Sequence, residues 1–302
     1  MSGPSSVVPP ARRRSSIGLI GAGRAGTAVA RALAEAGHPV VAVATRTESS
    51  RARAARRFPA AWTGPAARIA SRLQRADILL IAVPDDAIAQ VTARLVALSA
   101  VRENQMLAHL SGRHGLAVLA AGGGCGAHRA AVHPIMTLPG TAGQGVFVGV
   151  PFGVTADADV VAAVHRLVID IGGVPLAIAD DRRAQYHAAL VLGGNFLASL
   201  TGAAQDLLAG VGIADPAAAL GPLLRASLEH ALAGGWAAAT GPVRRGDRDT
   251  VRAHRQALAQ VDPALEQVYR ALARFTADEL ARVGLLGPAA TAALRRELDR
   301  DP

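Results

Sequence analysis

Apolar runs of strand length alternate with helical periodicity as far as Asp180, and beyond it only helical periodicity remains. Ile17–Ile20, Val40–Ala44, Asp77–Val83, Gln105–His109, Ala130–His133, Phe147–Val154 and Val174–Ile178 read as strands. Thr27–Ala36, Arg51–Phe58, Ala87–Leu98 and Asp157–Ile171 read as intervening helices, punctuated by Gly37, Pro59 and Pro84. From Asp181 to Arg300 the stop signals are Gly210–Gly212, Gly234–Gly235, Asp262–Pro263 and Gly287–Pro288. Continuous apolar strands such as Ile78–Val83 belong in a sheet covered on both faces, so the pattern predicts an α/β domain over residues 15–180 and an all-helical domain over 181–302. Residues 1–14 are rich in Pro and Ser and then basic, lack the apolar core of a signal peptide, and are expected to form a disordered arm.

The join between the first strand and the first helix carries the most specific signal. Gly21-Ala22-Gly23-Arg24-Ala25-Gly26 follows Ile17–Ile20 and opens an Ala-rich helix. The first glycine permits the tight turn, the second a close backbone approach by a pyrophosphate, and the third close packing of helix on strand. The sheet is therefore expected to be a doubly wound Rossmann sheet with a dinucleotide at this turn. The second strand runs into Thr45-Arg46-Thr47, with Ser49, Ser50 and Arg51 behind, where an acidic residue would select NAD. A guanidinium and hydroxyls suit a 2′-phosphate instead, so the expected cofactor is NADP(H), although an Arg-rich chain also places arginines there as ordinary surface residues. Val83-Pro84-Asp85, at the carboxyl end of the third apolar strand, is expected near the nicotinamide half.

Composition narrows the chemistry. All 32 basic side chains are Arg, so Schiff-base catalysis and a lysine acid are impossible, and a proton donor must come from His, Asp, Glu, Tyr or Cys. The single cysteine, Cys125, rules out an internal disulfide and agrees with a cytoplasmic location. The net charge of +9 is scattered and aromatic residues are only 3%, which leaves few stacking platforms for nucleic acid. The longest uncharged stretch, Ala188–Gln205, holds Asn195, Ser199, Thr201 and three glycines, and reads as a buried helix and not as a membrane span. Its apolar face is expected to be covered by a second copy in a homodimer.

Candidate reactive groups fall on two edges. His109, Ser111 and His133 end successive strands, on the edge where such sheets bind ligands. Four histidines in this region (His109, His114, His128, His133) have no clear carboxylate or thiolate partner, so no metal site is expected. On the helix from Asp181, His187 and Asn195 lie about 80° apart around an ideal helix and can face one cleft. His187 is a candidate proton donor, and equally a histidine buried at the domain junction. Gly193-Gly194 in the same helix implies close approach by a ligand or by another helix. Further on, Thr240-Gly241-Pro242-Val243-Arg244-Arg245-Gly246-Asp247 interrupts two helices; Asp247 can cap the second, and Arg245 can hold a carboxylate.

Together the glycine run, Val83-Pro84-Asp85, His109-Leu110-Ser111-Gly112, His133-Pro134, Tyr186-His187 through Asn195, and Thr240-Gly241-Pro242 through Asp247 resemble bacterial Rossmann-like proteins with a C-terminal domain of unknown function. The wider group is similar to pyrroline-5-carboxylate reductase, prephenate dehydrogenase and the 6-phosphogluconate dehydrogenase-like enzymes, which implies a nucleotide-binding domain followed by a helical dimerisation domain. Some proteins of this type look like alternate ketopantoate reductases. That resemblance implies an NADPH-dependent reductase of a small 2-oxo acid, ketopantoate first, with His187 giving the proton, Asn195 and Ser111 orienting and Arg245 holding the carboxylate. The lysine of the better-known ketopantoate reductases is missing, so their mechanism does not transfer. An imine reductase of the pyrroline-5-carboxylate type, or an NADP-binding sensor without activity, are the alternatives.

Overall fold

A computed structural model describes residues 14–138 and 145–301. The disordered arm expected at residues 1–14 lies outside the described residues except for Arg14, which is ion-paired to Asp170 at 2.9 Å. The chain divides into two compact units, residues 1–194 and 195–302.

The first unit is built on one eight-stranded sheet. Its strands are β1 (Ile17–Ile20), β2 (Val40–Ala44), β3 (Trp62–Gly64), β4 (Ile78–Ile81), β5 (Met106–His109), β6 (His128–Pro134), β7 (Pro151–Ala156) and β8 (Val174–Ala177). Their order is β3-β2-β1-β4-β5-β6-β7-β8, with all neighbours parallel except β6 and β7. The order of strands reverses between β1 and β4, so the crevice at the carboxyl ends of these two parallel strands is the topological switch point. The central strands β1, β4 and β5 are buried at every position, because helices cover both faces. One core layer joins Leu19, Val29, Leu33, Leu80, Phe152 and Val164; the other joins Leu73, Leu79, Ile81, Ile88, Leu95 and Leu107.

Two strands depart from the sequence expectation, and the short helices Ala70–Arg75 and Ala120–Gly123 fall outside it. β3 carries no apolar run: it is a three-residue edge strand whose Trp62 is exposed beneath the Arg72 guanidinium, 4.3 Å from the ring centroid. The strand expected over Phe147–Val154 begins at Pro151 and ends at Ala156. Phe147 is buried from a turn, not from a strand, packing edge-on against Phe152 with centroids 5.3 Å apart, while Gly149 takes φ +72°. A hydrophobic residue signals burial, and here a turn supplies it.

The second unit is helical: Phe196–Gly210, Pro216–Gly234, Gly241–Arg245, Arg248–Val261, Pro263–Arg282 and Pro288–Leu298. The stop signals at Gly210, Gly234, Asp262 and Gly287 coincide with helix ends or starts. Its core joins Val251, Ala273, Ala277, Leu280, Leu294 and Leu298. A buried Arg255 ties the last three long helices together, donating to Glu266 at 2.6 Å and to the Glu297 and Arg300 carbonyls at 2.7 and 2.9 Å. The helices Phe196–Gly210 and Pro216–Gly234 bury no residue within the chain. The helical stretch Asp180–Gly210 is long and apolar enough to cross a membrane, with mean hydropathy 1.2.

The unit boundary at Gly194 lies beyond the Asp180/Asp181 division read from periodicity. Helical pattern does begin there, but the first helix, Arg183–Leu190, belongs with the sheet because Arg183 is sunk into it.

Candidate functional site

At the switch point the three glycines have three different surroundings. Gly21 takes φ +88°, and a Cβ there would stand 2.5 Å from the Ala82 carbonyl oxygen. A Cβ on Gly26 would stand 2.5 Å from Ala82 Cβ and 2.7 Å from the Gly21 oxygen. Both glycines are therefore demanded by the packing of the chain itself. Gly23 is not: no atom lies within 4 Å of its Cβ position. Gly23 is the N-cap of the helix Arg24–Glu35, which has no acidic residue in its first turn. The N–H groups of Arg24, Ala25 and Gly26 have no intrahelical acceptor, and together with the helix dipole they favour an anion beside an open Gly23. Ala22 and Val83 flank this turn, and Val83 packs on Gly21.

A cavity of about 220 Å³ adjoins the carboxyl end of β2, lined by Ile20, Thr45, Arg46, Val83, Val91 and Arg94 among others. Thr45 Oγ1 is buried there without a hydrogen-bond partner, and no described residue pairs with the Arg46 guanidinium. Thr47 behaves differently from the expectation of a ligand contact: its hydroxyl caps the helix Glu48–Arg57, accepting the Ser50 N–H at 3.2 Å. Arg51 donates to the Arg46 carbonyl at 3.1 Å and so stiffens the turn. Arg94, one helix away in sequence, escaped the sequence reading because an arginine on an amphipathic helix carries no signal of its own.

At the carboxyl ends of β5 and β6 the polar groups form a connected set. His109 is buried; its Nδ1 accepts the Ser111 N–H at 3.2 Å, so Nε2 carries the proton and donates to the Gly115 carbonyl at 3.0 Å. Burial, opposed by the Gly115 carbonyl, lowers its pKa to about 4. Ser111 Oγ donates to Asp85 Oδ2 at 2.7 Å and accepts the His114 N–H at 3.2 Å. Ser111 thereby clasps two loops, and its hydroxyl is engaged by the chain, not presented to a substrate. Asp85 accepts this bond beside Arg113, while Pro84 before it is exposed.

His133 and His187 meet over Gly112. Their ring centroids are 6.0 Å apart at 75°, and a Cβ on Gly112 would stand 2.4 Å from His187 Cδ2 and 3.0 Å from His133 Cε1. The third position of the His-Leu-Ser-Gly run thus has to be followed by glycine, because two imidazoles occupy the side-chain space. His133 Nδ1 pairs with Tyr186 Oη at 2.8 Å. Beneath them Arg183, 1% exposed, donates to the Thr155 hydroxyl at 2.9 Å and the Ser111 carbonyl at 2.8 Å, leaving Nε without a partner. Its guanidinium carbon lies 5.7 Å from the Tyr186 ring centroid. Burial first, then Arg183 and His187, lower the His133 pKa to about 4. Sequence reasoning placed His133 and His187 at the site but missed Arg183, since burial of a cation is invisible in a linear pattern.

The remaining expected residues take these positions. A π-helical stretch, Val191–Asn195, interrupts the helix carrying His187, so the ideal progression of about 100° per residue does not connect His187 to Asn195. Among the described residues no atom lies within 4 Å of a Cβ on Gly193 or Gly194, so the close approach expected there is not made by another helix of this chain. Asp247 caps the helix Arg248–Val261, bonding Thr250 N–H at 3.1 Å and Thr250 Oγ1 at 2.7 Å, which engages both carboxylate oxygens. Arg244 donates to the Leu285 carbonyl at 2.5 Å. Arg245 is exposed; after the Thr250 hydrogen bonds, its charge helps hold the Asp247 carboxyl below its usual range, and it borders a cavity of about 720 Å³ with Thr240, Gly241, Leu286 and Gly287. No group of three or more metal-ligating side chains occurs among the described residues.

A doubly wound sheet, a glycine turn open at its second glycine and a basic cavity beyond β2 define a Rossmann-like protein. The chain matches the model of a Rossmann-like domain over residues 1–134 and that of a domain of unknown function (DUF2520) over residues 150–276. None of the curated proteins matches the sequence. Among solved structures, it is similar to the proposed NADP oxidoreductase BF3122 from Bacteroides fragilis, with 25% identity over 87% of this chain and 98% of the other and a TM-score of 0.71. An imine reductase from Myxococcus stipitatus in complex with NADP+ shares 18% identity over 94% of this chain and 100% of the other, TM-score 0.62. A pyrroline-5-carboxylate reductase from Coxiella burnetii shares 16% over 95% and 100%, TM-score 0.56. The last two share the fold.

Proposed function

We propose that the protein is a cytoplasmic NADPH-dependent reductase of a small 2-oxo acid, with 2-dehydropantoate (ketopantoate) as the first substrate to test. The observation that carries the reading is the open Gly23 at a helix N-terminus beside a cavity holding Arg46, Arg94 and the unpartnered Thr45 hydroxyl. Peptide N–H groups of the glycine turn would hold the pyrophosphate, and Arg46 with Arg94 the 2′-phosphate. NADPH, when bound, supplies hydride. The chain must then supply a proton, and His133 at the end of β6 and His187 on the helix beside it are suited to do so. Arg245, exposed at its cavity, is suited to a carboxylate, and Asn195 to an amide or carbonyl. The apolar helices of the second unit, led by Leu223 and Leu232, are proposed to be covered in a homodimer.

Calorimetry with NADPH and NADH, followed by turnover of 2-oxo acids and cyclic imines, tests this. Selective NADPH binding with oxo-acid turnover is the expected result, and failure of NADPH to bind overturns the reading. Turnover of imines alone would favour the second reading, an imine reductase; a protonated imine needs no acid from the protein, whereas a ketone employs the donors seen at the strand ends.

A further inference from the structure

The phenol of Tyr186 has one proton and three charged or polar neighbours. Burial raises the Tyr186 pKa and keeps the phenol protonated at rest; two neighbours oppose it, the Arg183 guanidinium over its ring and the Gly153 backbone N–H, both of which favour negative charge on the phenol oxygen. Gly153 crowds that oxygen so closely that a Cβ there would stand 2.4 Å from it. The third is His133 Nδ1 at 2.8 Å. Lone pairs therefore turn to Arg183 and Gly153, and the proton turns to His133. With Nδ1 accepting, the ring hydrogen of neutral His133 sits on Nε2. Nε2 has no hydrogen-bond partner among the described residues and lies beside Gly112, 3.1 Å from where its Cβ would stand.

We propose that His133 Nε2, backed by Tyr186 at Nδ1, is the donor that protonates the reduced carbonyl oxygen. The proposal rests on the reductase reading and names its donor. As hydride from NADPH reaches the carbonyl carbon, the π pair takes the Nε2 proton, so that bond breaks and O–H forms. Nδ1 takes the Tyr186 proton in the same step, so the imidazole stays neutral. The phenolate faces Arg183 and Gly153; after product leaves, Nε2 takes a proton from water and Nδ1 returns its proton to the Tyr186 oxygen, which restores the starting pair. Tyr186 acts through His133 and is a positioning residue. The groups facing His133 (Arg183, His187, His109, Tyr186 and Asp85) sum to an environment that keeps the ring neutral near pH 7, as burial also does. Such a ring donates one proton only if another is delivered to its far nitrogen, which is the geometric role of the phenol.

Two measurements test it. Nitrogen-15 NMR of histidine-labelled protein, with the His133 signals assigned by His133→Gln, is expected to show a proton on Nε2 and none on Nδ1 from pH 8 to 5.5. A proton on Nδ1, or titration near 6.5, would overturn the proposal. In turnover, Tyr186→Phe is expected to lower kcat by about tenfold to a hundredfold with KM and NADPH affinity unchanged, and to flatten the alkaline limb of the pH profile. Wild-type kcat in Tyr186→Phe would sink the relay. Loss of NADPH binding in the wild type would instead strike the reductase reading, and the NMR result would still decide the state of the pair.

Discussion

Ser111 Oγ donates to Asp85 Oδ2 at 2.7 Å, and with Arg113 on Asp86 at 2.8 Å this bond joins the loop after β5 to the turn after β4. Ser111 is 5% exposed and its carbonyl also accepts from Arg183, so the clasp continues down to the buried guanidinium. Ser111→Ala is expected to destabilise the protein by about 1 kcal/mol or more, because the Asp85 carboxylate and the His114 N–H both lose a partner. Thermal unfolding checks it: a midpoint equal to wild type would show that water replaces the hydroxyl without loss.

Gly23 and Gly26 separate ligand from packing. Gly23→Ala meets open space and is expected to leave the unfolding midpoint within a degree or two while weakening NADPH binding at least tenfold. Gly26→Ala drives a methyl into Ala82 and the Gly21 carbonyl, and is expected to cost roughly 1–3 kcal/mol of stability. The two variants are compared by calorimetry and by heat denaturation of the same samples.

Cofactor choice is expected to depend on two arginines. Arg46→Asp should lose about 1.5–3 kcal/mol of NADPH affinity, the scale of a hydrogen bond to a charged group, and gain relative preference for NADH. Arg94→Gln should weaken NADPH but leave NADH unaffected. Unchanged discrimination in both variants would place the 2′-phosphate elsewhere.

Acid stability follows from His109 and His133. Both have pKa values lowered to about 4 in the fold, His109 by burial with Arg183 and His114 adding to it, and His133 by burial with Arg183 and His187. Below about pH 6.5 the unfolded chain binds protons that the folded chain refuses, so stability falls as pH drops from about 6.5 to 4 and is unaffected by these groups above 6.5. Urea midpoints measured across that window in wild type and His133→Gln are expected to differ in slope, with the variant less acid-sensitive. Parallel slopes would show that His133 does not titrate with unfolding.

Association is expected to use the second unit's exposed apolar helices. Leu223 and Leu232 are 63% and 80% exposed in the chain, too much apolar surface on one helix to leave in water. Light scattering should give a dimer, and Leu223→Asp with Leu232→Asp a monomer. A wild-type monomer would remove the proposal.

The linear pattern of this chain determined its α/β first half and helical second half, because strands buried on both faces are apolar at successive positions and Gly or Pro favours a helix boundary. It also determined the glycine turn, since Gly21 and Gly26 are the only residue type that fits against Ala82. It did not reveal β3, whose pairing is made by backbone at a sheet edge with no demand on side chains. Only the tertiary structure decided what the polar residues do: Ser111 and Asp247, chosen as candidates for chemistry, are engaged as clasp and cap, while Arg183 joins the histidine cluster and Arg94 the cavity beyond β2 unannounced. The reason is physical. Hydrophobic burial recurs with the period of local structure, whereas a hydrogen bond such as Tyr186 to His133 joins residues far apart in sequence and exists only after the sheet has brought β6 to the following helix.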